Sequence, residues 1–191
     1  MVTIKTIPRW AFMVLLALSC GPKPEVYFKK NVSFAPSKTI AILPFNNYSG
    51  KEDAGKQVAN MFLVELLKKP YLNVLEPGEV DKVMREERIR SSEQVDFSTA
   101  KIFKERLDAD YILIGAVNEF NYLTRGDRET PLVGFSVRLV DTNNGQIVWA
   151  ATHSRKGDDS ELLFGWGLVK SLTKLAQISV GQVVHQIKIE H

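Results

Sequence analysis

The chain has 191 residues, and its 25 Lys and Arg side chains exceed its 22 Asp and Glu by a formal net charge of +3. This length suffices for one domain with a sizeable core, and the near balance of charge, without a block of one sign, argues against a nucleic-acid partner. The sequence has a single cysteine, so no internal disulfide holds the fold.

An apolar segment near the N-terminus, Trp10–Cys20, follows two basic residues and ends in small side chains. This pattern is typical of a secretory signal peptide, and the apolar run is shorter than the roughly 20 residues of a membrane-spanning helix. Ala17-Leu18-Ser19 precedes the cysteine, as in a bacterial lipobox, where the cysteine is acylated and becomes the new N-terminus. We therefore predict a lipoprotein signal peptide over residues 1–19 and lipidation of Cys20; the alternative is an ordinary cleaved signal.

The segment that follows the cysteine carries three prolines and no convincing hydrophobic period. We interpret residues 20–37 as the lipidated cysteine and a tether, with a short strand at Val26–Phe28. Gly21, in place of an acidic residue, favours the outer membrane over the inner one, with the domain facing the periplasm.

Hydrophobic periodicity predicts one domain over residues 38–191. In chain order it predicts a strand at Thr39–Phe45, a helix at Glu52–Lys69, a strand at Leu72–Leu75, a helix at Pro77–Ile89, a helix capped by Ser98, a central strand at Ala109–Phe120, a polar loop at Thr124–Pro131, hairpin strands at Val133–Val140 and Gln146–Thr152, and a helix from near Leu168. This order, β-α-β-α-α-β-β-β-α, predicts an α/β fold in which helices pack on a mixed β-sheet.

The predicted hairpin has two distinctive features. Asn144-Gly145 lies between its strands and is the strongest short-range signal for a tight turn, because both residues accept a positive φ. In the first strand, apolar residues alternate with Ser136 and Arg138, so one face should be packed and the other partly wet.

One segment, Gly50–Gln57, matches the G-x-x-x-x-G-K pattern of a phosphate-binding loop and lies between a strand and a helix. However, Gln57 replaces the Ser or Thr that would hold magnesium, and Glu52 and Asp53 would face phosphate oxygens. We therefore predict no nucleotide binding and interpret the segment as a loop that enters a helix.

No other pattern indicates chemistry. His153, His185 and His191 lack the spacing of metal ligands, and the sequence has neither a G-x-S-x-G motif nor a credible Ser/His/Asp arrangement. The prediction is a chain without catalytic residues, metal or cofactor, and not an enzyme.

An aromatic pair, Phe164 and Trp166, alternates with glycines before the last helix. Large aromatic side chains are common at the centre of protein interfaces, so these residues are a candidate contact surface for a partner or for a second copy of the chain. The alternative is a buried plug that caps the sheet.

Four segments resemble CsgG-type bacterial lipoproteins in order and spacing. That group includes the curli-secretion channel and, more distantly, LpoB and the N-terminal domain of TolB. The segments are TIAILPF within Lys38–Phe45, VMREERI at Val83–Ile89, LDADYILIGAVNEF at Leu107–Phe120 and VGFSVRLVDTNNGQIVWAATHS at Val133–Ser154. The resemblance implies this fold behind a lipid anchor. It does not imply a channel, because each pore strand needs about 9–11 residues and the connections at Thr124–Pro131 and Arg155–Trp166 are short.

We therefore predict a periplasm-facing lipoprotein that acts as a non-catalytic protein-binding or assembly subunit of a cell-envelope complex. Its expected partners are the membrane, through the lipid on Cys20, and envelope proteins, with a homo-oligomer also open. The alternatives are a ring-forming secretion or transport component related to curli export and an activator of a peptidoglycan synthase. An activator anchored in the outer membrane would have to reach a synthase in the inner membrane, and residues 20–37 are a short tether for that distance.

The lipid anchor is directly testable with the substitution Cys20→Ser. Without the thiol no acyl chain can be attached, so we expect the variant to leave the membrane fraction while the wild-type chain stays in it. Fractionation of cells that express each chain measures this. A variant that still partitions with membranes contradicts lipidation at Cys20.

Overall fold

The computed structural model describes residues 21–30, 37–92, 95–161 and 166–187. In these residues seven strands and four helices form one domain. They are β1 (Glu25–Phe28), β2 (Lys38–Ile42), β3 (Asn46–Asn47), α1 (Ala54–Leu67), β4 (Leu72–Val74), α2 (Pro77–Glu86), α3 (Phe97–Leu107), β5 (Tyr111–Arg125), β6 (Arg128–Asp141), β7 (Ile147–Lys156) and α4 (Leu172–His185).

The strands form one mixed sheet in the order β1-β7-β6-β5-β2-β4, and β3 pairs with β5. Strand β2 runs parallel to β4 and β5, whereas β5, β6, β7 and β1 pair antiparallel in turn. A crossover that contains α1 joins the parallel strands β2 and β4, whereas turns join β5 to β6 and β6 to β7, as strand direction requires. The prediction of a single mixed α/β domain is confirmed.

Helices α1 and α4 cover one face of the sheet. The buried residues of α1 recur mainly every fourth position and include Ala54, Val58, Phe62 and Leu66. The ring of Phe62 lies 5.4 Å from that of Phe45 and 5.5 Å, edge to face, from that of Phe135. Aromatic pairs in these arrangements add about 0.5–1.5 kcal/mol each to the burial of their area. This face holds the larger core.

Helices α2 and α3 cover only part of the other face. Their buried residues, Val83 and Phe103 among them, pack against β2 and β5 in a second, smaller core with Ala41 and Ile112. No helix of the described residues covers this face over β1, β7 and most of β6. The second face is therefore half open.

The hairpin of β5 and β6 corrects the predicted polar loop at Thr124–Pro131. Both strands continue to their tip, where Arg125 pairs with Arg128 around Gly126-Asp127, and Gly126 has a φ of 61°. The sequence shows no apolar alternation here because most side chains near the tip are solvent-exposed and none has to be apolar.

The turn between β6 and β7 also differs from the expected two-residue type. Gly145 has a φ of 69°, but Asn144 does not adopt a positive φ. The Asp141 carboxylate accepts a hydrogen bond from the Asn143 N–H at 2.8 Å, and the Asp141 carbonyl accepts one from the Gly145 N–H at 2.8 Å. An Asp side chain that bonds the backbone two residues on favours this longer turn.

The start of α3 is two residues earlier than predicted. Its N-cap is Asp96, not Ser98, and the Asp96 carboxylate accepts a hydrogen bond from the Thr99 N–H at 2.8 Å. This bond is the main reason why the pKa of Asp96 is lowered to about 2. Asp and Ser are both preferred N-cap residues, so the sequence alone does not distinguish Asp96 from Ser98, and the backbone geometry selects Asp96.

Asp110 joins three elements at the start of β5. Its carboxylate accepts hydrogen bonds from the Thr39 N–H at 3.0 Å, from Lys38 Nζ at 3.2 Å and from Lys104 Nζ at 3.3 Å. Burial alone would raise the pKa of Asp110, but the hydrogen bonds outweigh it and the pKa is lowered. The folded state therefore favours the charged carboxylate.

We expect Asp110→Asn to lower the free energy of unfolding by about 1–3 kcal/mol at pH 7, since buried donors lose a charged acceptor. A lowered pKa contributes stability above the unfolded-state value of about 3.9 and loses it as the pH falls through the folded-state value. The two chains should thus converge in stability as the pH falls below about 4. Urea denaturation from pH 7 to pH 3 measures this.

The control for this prediction is Asp127→Asn in the exposed tip of the β5–β6 hairpin. It removes the same charge without removing a buried acceptor, so we expect little change at any pH. A pH-independent gap between wild type and Asp110→Asn would contradict the role given to Asp110.

Candidate interaction surfaces

The open half of the second sheet face forms a groove of about 560 Å³. Its floor consists of two rows of side chains in register across four strands. The first row is Ile114, Arg138, Ala150 and Tyr27, and the second is Ala116, Ser136, Thr152 and Glu25. We call these two rows, with Tyr48 and Ile147, the groove.

The shape of the groove follows from side-chain size. Small residues (Ala116, Ser136 and Ala150) lie in the middle, whereas large apolar side chains are exposed at the rim. Among these, Tyr48 is 57% exposed, and Tyr27 and Ile147 are also open to solvent. A concave floor with exposed aromatic side chains around it is typical of surfaces that bind another molecule.

The groove also carries charge. In the described part of the chain no hydrogen bond or ion pair engages the guanidinium of Arg138 or the carboxylate of Glu25. Arg138 is half-buried between Ile114 and Ala150. A guanidinium offers five donors in a fixed fork that matches a carboxylate, so Arg138 is available to an acidic group of a partner.

A second feature lies where β7 ends. The guanidinium of Arg155 is buried and donates hydrogen bonds to Gln182 Oε1 at 3.0 Å and to Ser160 Oγ at 2.6 Å. His153 Nε2 lies 3.1 Å from the same Gln182 oxygen. Because that oxygen only accepts, the contact requires a proton on His153 Nε2. Four side chains thus join β7 to α4 and to the turn after β7.

Burial lowers the pKa of His153, the hydrogen bond with Gln182 partly opposes this, and the positive charge of Arg155 adds to the lowering. The imidazole is therefore neutral at pH 7 and packs edge to face on Phe135, with 6.3 Å between the ring centroids.

The chain enters the domain beside this cluster. A Cβ on Gly21 would lie 2.6 Å from Ser160 Oγ and 3.4 Å from Arg155 Nη2. A Cβ on Gly167 would collide with the Ser160 carbonyl oxygen, and Gly167 has a φ of 87°. Gly21 and Gly167 therefore contact the same residue. We call the surface formed by Gly21, the turn 157–161 and Trp166-Gly167 the anchor end.

Of the two aromatic residues predicted as a contact surface, only Trp166 lies in the described residues. Its side chain is 75% exposed, so it is not a buried plug. Phe164 and the predicted lipidation site, Cys20, lie outside the described residues. A contact of Trp166 with a partner stays a prediction.

The segment that matches a phosphate-binding loop has a packing role. Asp53 is the N-cap of α1 with a φ of 58°, and a Cβ on Gly55 would collide with the carbonyl oxygen of Phe45. The second glycine of the match is therefore explained by the close approach of α1 to the chain after β2.

Within the described ranges, no group of three or more His, Cys, Asp and Glu side chains could hold a metal ion. No helix in these ranges has the length and apolar character needed to cross a bilayer. His191 lies outside the described residues.

The groove was missed by the sequence analysis. Its residues come from four strands and from Tyr48 after β3, and only the alternation of Ser136 and Arg138 with apolar residues indicated a face that is not packed. Their juxtaposition depends on the register of β1 on β7, which pairs Tyr27 with Ala150 and could not be inferred from local pattern.

The fold is a single α/β domain with an open groove and an exposed tryptophan on the surface of its described residues. A family model described as "Peptidoglycan-synthase activator LpoB" matches residues 21–154. The chain belongs to the LpoB family. This confirms the LpoB part of the resemblance, whereas the comparisons give no support to the wider CsgG-type grouping. No curated protein matches the chain.

Two solved structures support the fold. The PelC dodecamer from Paraburkholderia phytofirmans is 23% identical, with 87% of this chain and 99% of that chain covered and a TM-score of 0.58. Lipoprotein GNA1162 from Neisseria meningitidis is 17% identical, with 78% of this chain and 99% of that chain covered and a TM-score of 0.56. At these identities the likeness concerns the fold alone.

The buried guanidinium at the anchor end leads to a prediction about Arg155→Met. Methionine fills similar space but donates no hydrogen bond, so Ser160 and Gln182 lose a charged donor worth about 1.5–3 kcal/mol. We expect amide exchange in the turn 157–161 to accelerate by roughly ten-fold or more, which hydrogen exchange read by mass spectrometry measures.

The matched control is Arg128→Met. Its guanidinium pairs with Glu161 of the same turn at 3.0 Å but is 59% exposed. Exposed ion pairs contribute about 0–1 kcal/mol, so this variant should change exchange little. Equal effects of the two substitutions would show that the buried cluster does not hold the turn.

Proposed function

We propose that this chain is a lipid-anchored, non-catalytic subunit of the cell envelope that activates a peptidoglycan synthase by binding it. The observation that carries the proposal is the family match, which covers residues 21–154. Catalysis by the chain itself has no support in the described residues, whose candidate surfaces are an open groove and an exposed tryptophan.

We assign synthase binding to the groove. Every residue that lines it lies between Glu25 and Thr152, within the range that the family model matches. Trp166 and helix α4 lie beyond that range. The groove is thus the candidate surface that belongs entirely to the part of the chain for which a family is shown.

The chemistry of the groove specifies the kind of segment that it would bind. The small side chains in the middle of the groove leave room for a side chain or a strand of the partner. The exposed rings of Tyr27 and Tyr48 offer apolar contact. The unpaired guanidinium of Arg138 would need a carboxylate once it is covered, because a buried unpaired charge is costly. The proposed ligand is a segment of the synthase with apolar side chains beside an Asp or Glu.

The position of the domain limits how the partner approaches. Four residues, Gly21–Pro24, separate Cys20 from β1, and fully extended they span at most about 14 Å. In this proposal Cys20 carries the lipid and the domain lies against the periplasmic face of the outer membrane. The synthase must then reach the domain near that membrane.

We expect Arg138→Glu to abolish most of the activation. Placing a carboxylate where the partner offers one should weaken binding at least ten-fold, which corresponds to about 1.4 kcal/mol. The measurement is polymerisation of the lipid-linked disaccharide precursor by a bifunctional peptidoglycan synthase from the same organism, with and without the full lipidated chain in detergent.

The matched control is Lys56→Glu, the same charge reversal at an exposed position of α1 on the opposite side of the sheet. It should activate like wild type. A wild-type chain that does not stimulate the synthase contradicts the function. Normal stimulation by Arg138→Glu contradicts only the assignment to the groove. Light scattering on both chains tests whether a second copy occupies the groove instead, in which case Arg138→Glu would dissociate an oligomer.

A further inference from the structure

We propose that Trp166 inserts into the lipid headgroup region beside the Cys20 anchor, so that the anchor end of the domain lies flat on the membrane. This inference rests on the lipidation of Cys20 that the proposed function includes. It adds a membrane-binding residue outside the range of the family match.

The position of the N-terminus carries the inference. Gly21 contacts Ser160 and Arg155, so the chain meets the domain at this end and not through a free linker. The predicted lipid attachment point is the residue that precedes Gly21 in the sequence. The acyl chains must therefore enter the bilayer close to the anchor end.

Trp166 shares this position. Gly167 contacts Ser160, as Gly21 does, which places the neighbouring tryptophan at the same end as Gly21. Arg155 holds Ser160 through its guanidinium, so the turn that both glycines touch is itself fastened to the sheet. An exposed tryptophan and a lipid attachment point are thus brought together by a rigid turn.

The chemistry of the anchor end favours lipid over a protein partner. Tryptophan is enriched at membrane interfaces because its ring is apolar and its N–H is polar. Tyr122 and Leu123 of β5 are exposed on the hairpin that extends past this end, and the Tyr122 hydroxyl accepts a hydrogen bond from the N–H of Leu172 at 3.2 Å. The nearby Arg128–Glu161 pair is neutral overall, so the contact needs no anionic lipid.

The chain contains its own probe for this contact. Trp10 lies in the predicted signal peptide, Trp149 is fully buried, and Trp166 is exposed. In the mature lipidated protein, the difference in emission between wild type and Trp166→Phe therefore reports on position 166 alone. The probe membrane is a vesicle of phosphatidylethanolamine and phosphatidylglycerol, with or without brominated lipid, and iodide is the aqueous quencher.

We expect the Trp166 emission to shift to shorter wavelength on reconstitution, to be lost with brominated lipid and to resist iodide. Quenching by iodide without quenching by brominated lipid would place Trp166 in water. Shielding from both quenchers would mean that a protein, such as a second copy, covers it. Either result overturns the inference.

The control places a tryptophan at the opposite end of the domain, as Phe97→Trp in the Trp166→Phe chain. Phe97 is 51% exposed and lies against Gly145 in the turn between β6 and β7. The tryptophan at position 97 should be quenched by iodide and not by brominated lipid.

Two measurements come first: vesicle flotation, which tests membrane binding, and the mass of the Cys20 peptide, which tests lipidation. An unlipidated chain overturns the inference. Synthase activation is measured in the separate polymerisation assay, so a failure of the proposed function can be distinguished from a failure of the membrane contact.

Discussion

The pairing of β1 with β7 is the interaction on which both candidate surfaces depend. Its register places Tyr27 opposite Ala150 and Glu25 opposite Thr152, which supplies one wall of the groove. The same pairing brings the preceding residues to the end of β7, where Gly21 meets Ser160. A four-residue edge strand therefore fixes where residues 21–24 meet the domain and widens the sheet on its open side.

The open half of the sheet has a topological cause. Helices α1 and α4 lie on the first face, and α2 and α3 are held near β2 and β5 by the parallel crossovers that contain them. The antiparallel strands β6 and β7 are joined by a turn, which brings no helix to the second face. Small floor residues such as Ala116 and Ala150 keep the exposed apolar area low, which limits the hydrophobic cost of leaving this face uncovered. The uncovered part of this face therefore remains as the groove.

Local pattern predicted the elements well wherever burial imposes a period. The four-residue spacing of α1 and the apolar run of β5 correspond to buried residues, and from these the mixed sheet with its helices follows. Local pattern failed where the side chains are exposed, and where backbone hydrogen bonds determine the geometry of a turn. The tip of the β5–β6 hairpin reads as a loop because its residues are exposed, and the turn after Asp141 is set by a carboxylate rather than by Asn144.

The candidate sites were harder to predict because they depend on long-range contacts. The exposure of Trp166 and the contact of Gly21 with Ser160 join residues far apart in sequence, and no periodicity encodes them. These contacts also change what the anchor implies. Residues 20–37 were expected to act as a tether, but β1 takes up part of that length and the domain meets its N-terminus at Gly21. Under the proposed function, in which Cys20 carries the lipid, this short free chain means that the reach to a synthase in the inner membrane would have to come from the synthase or from a third protein.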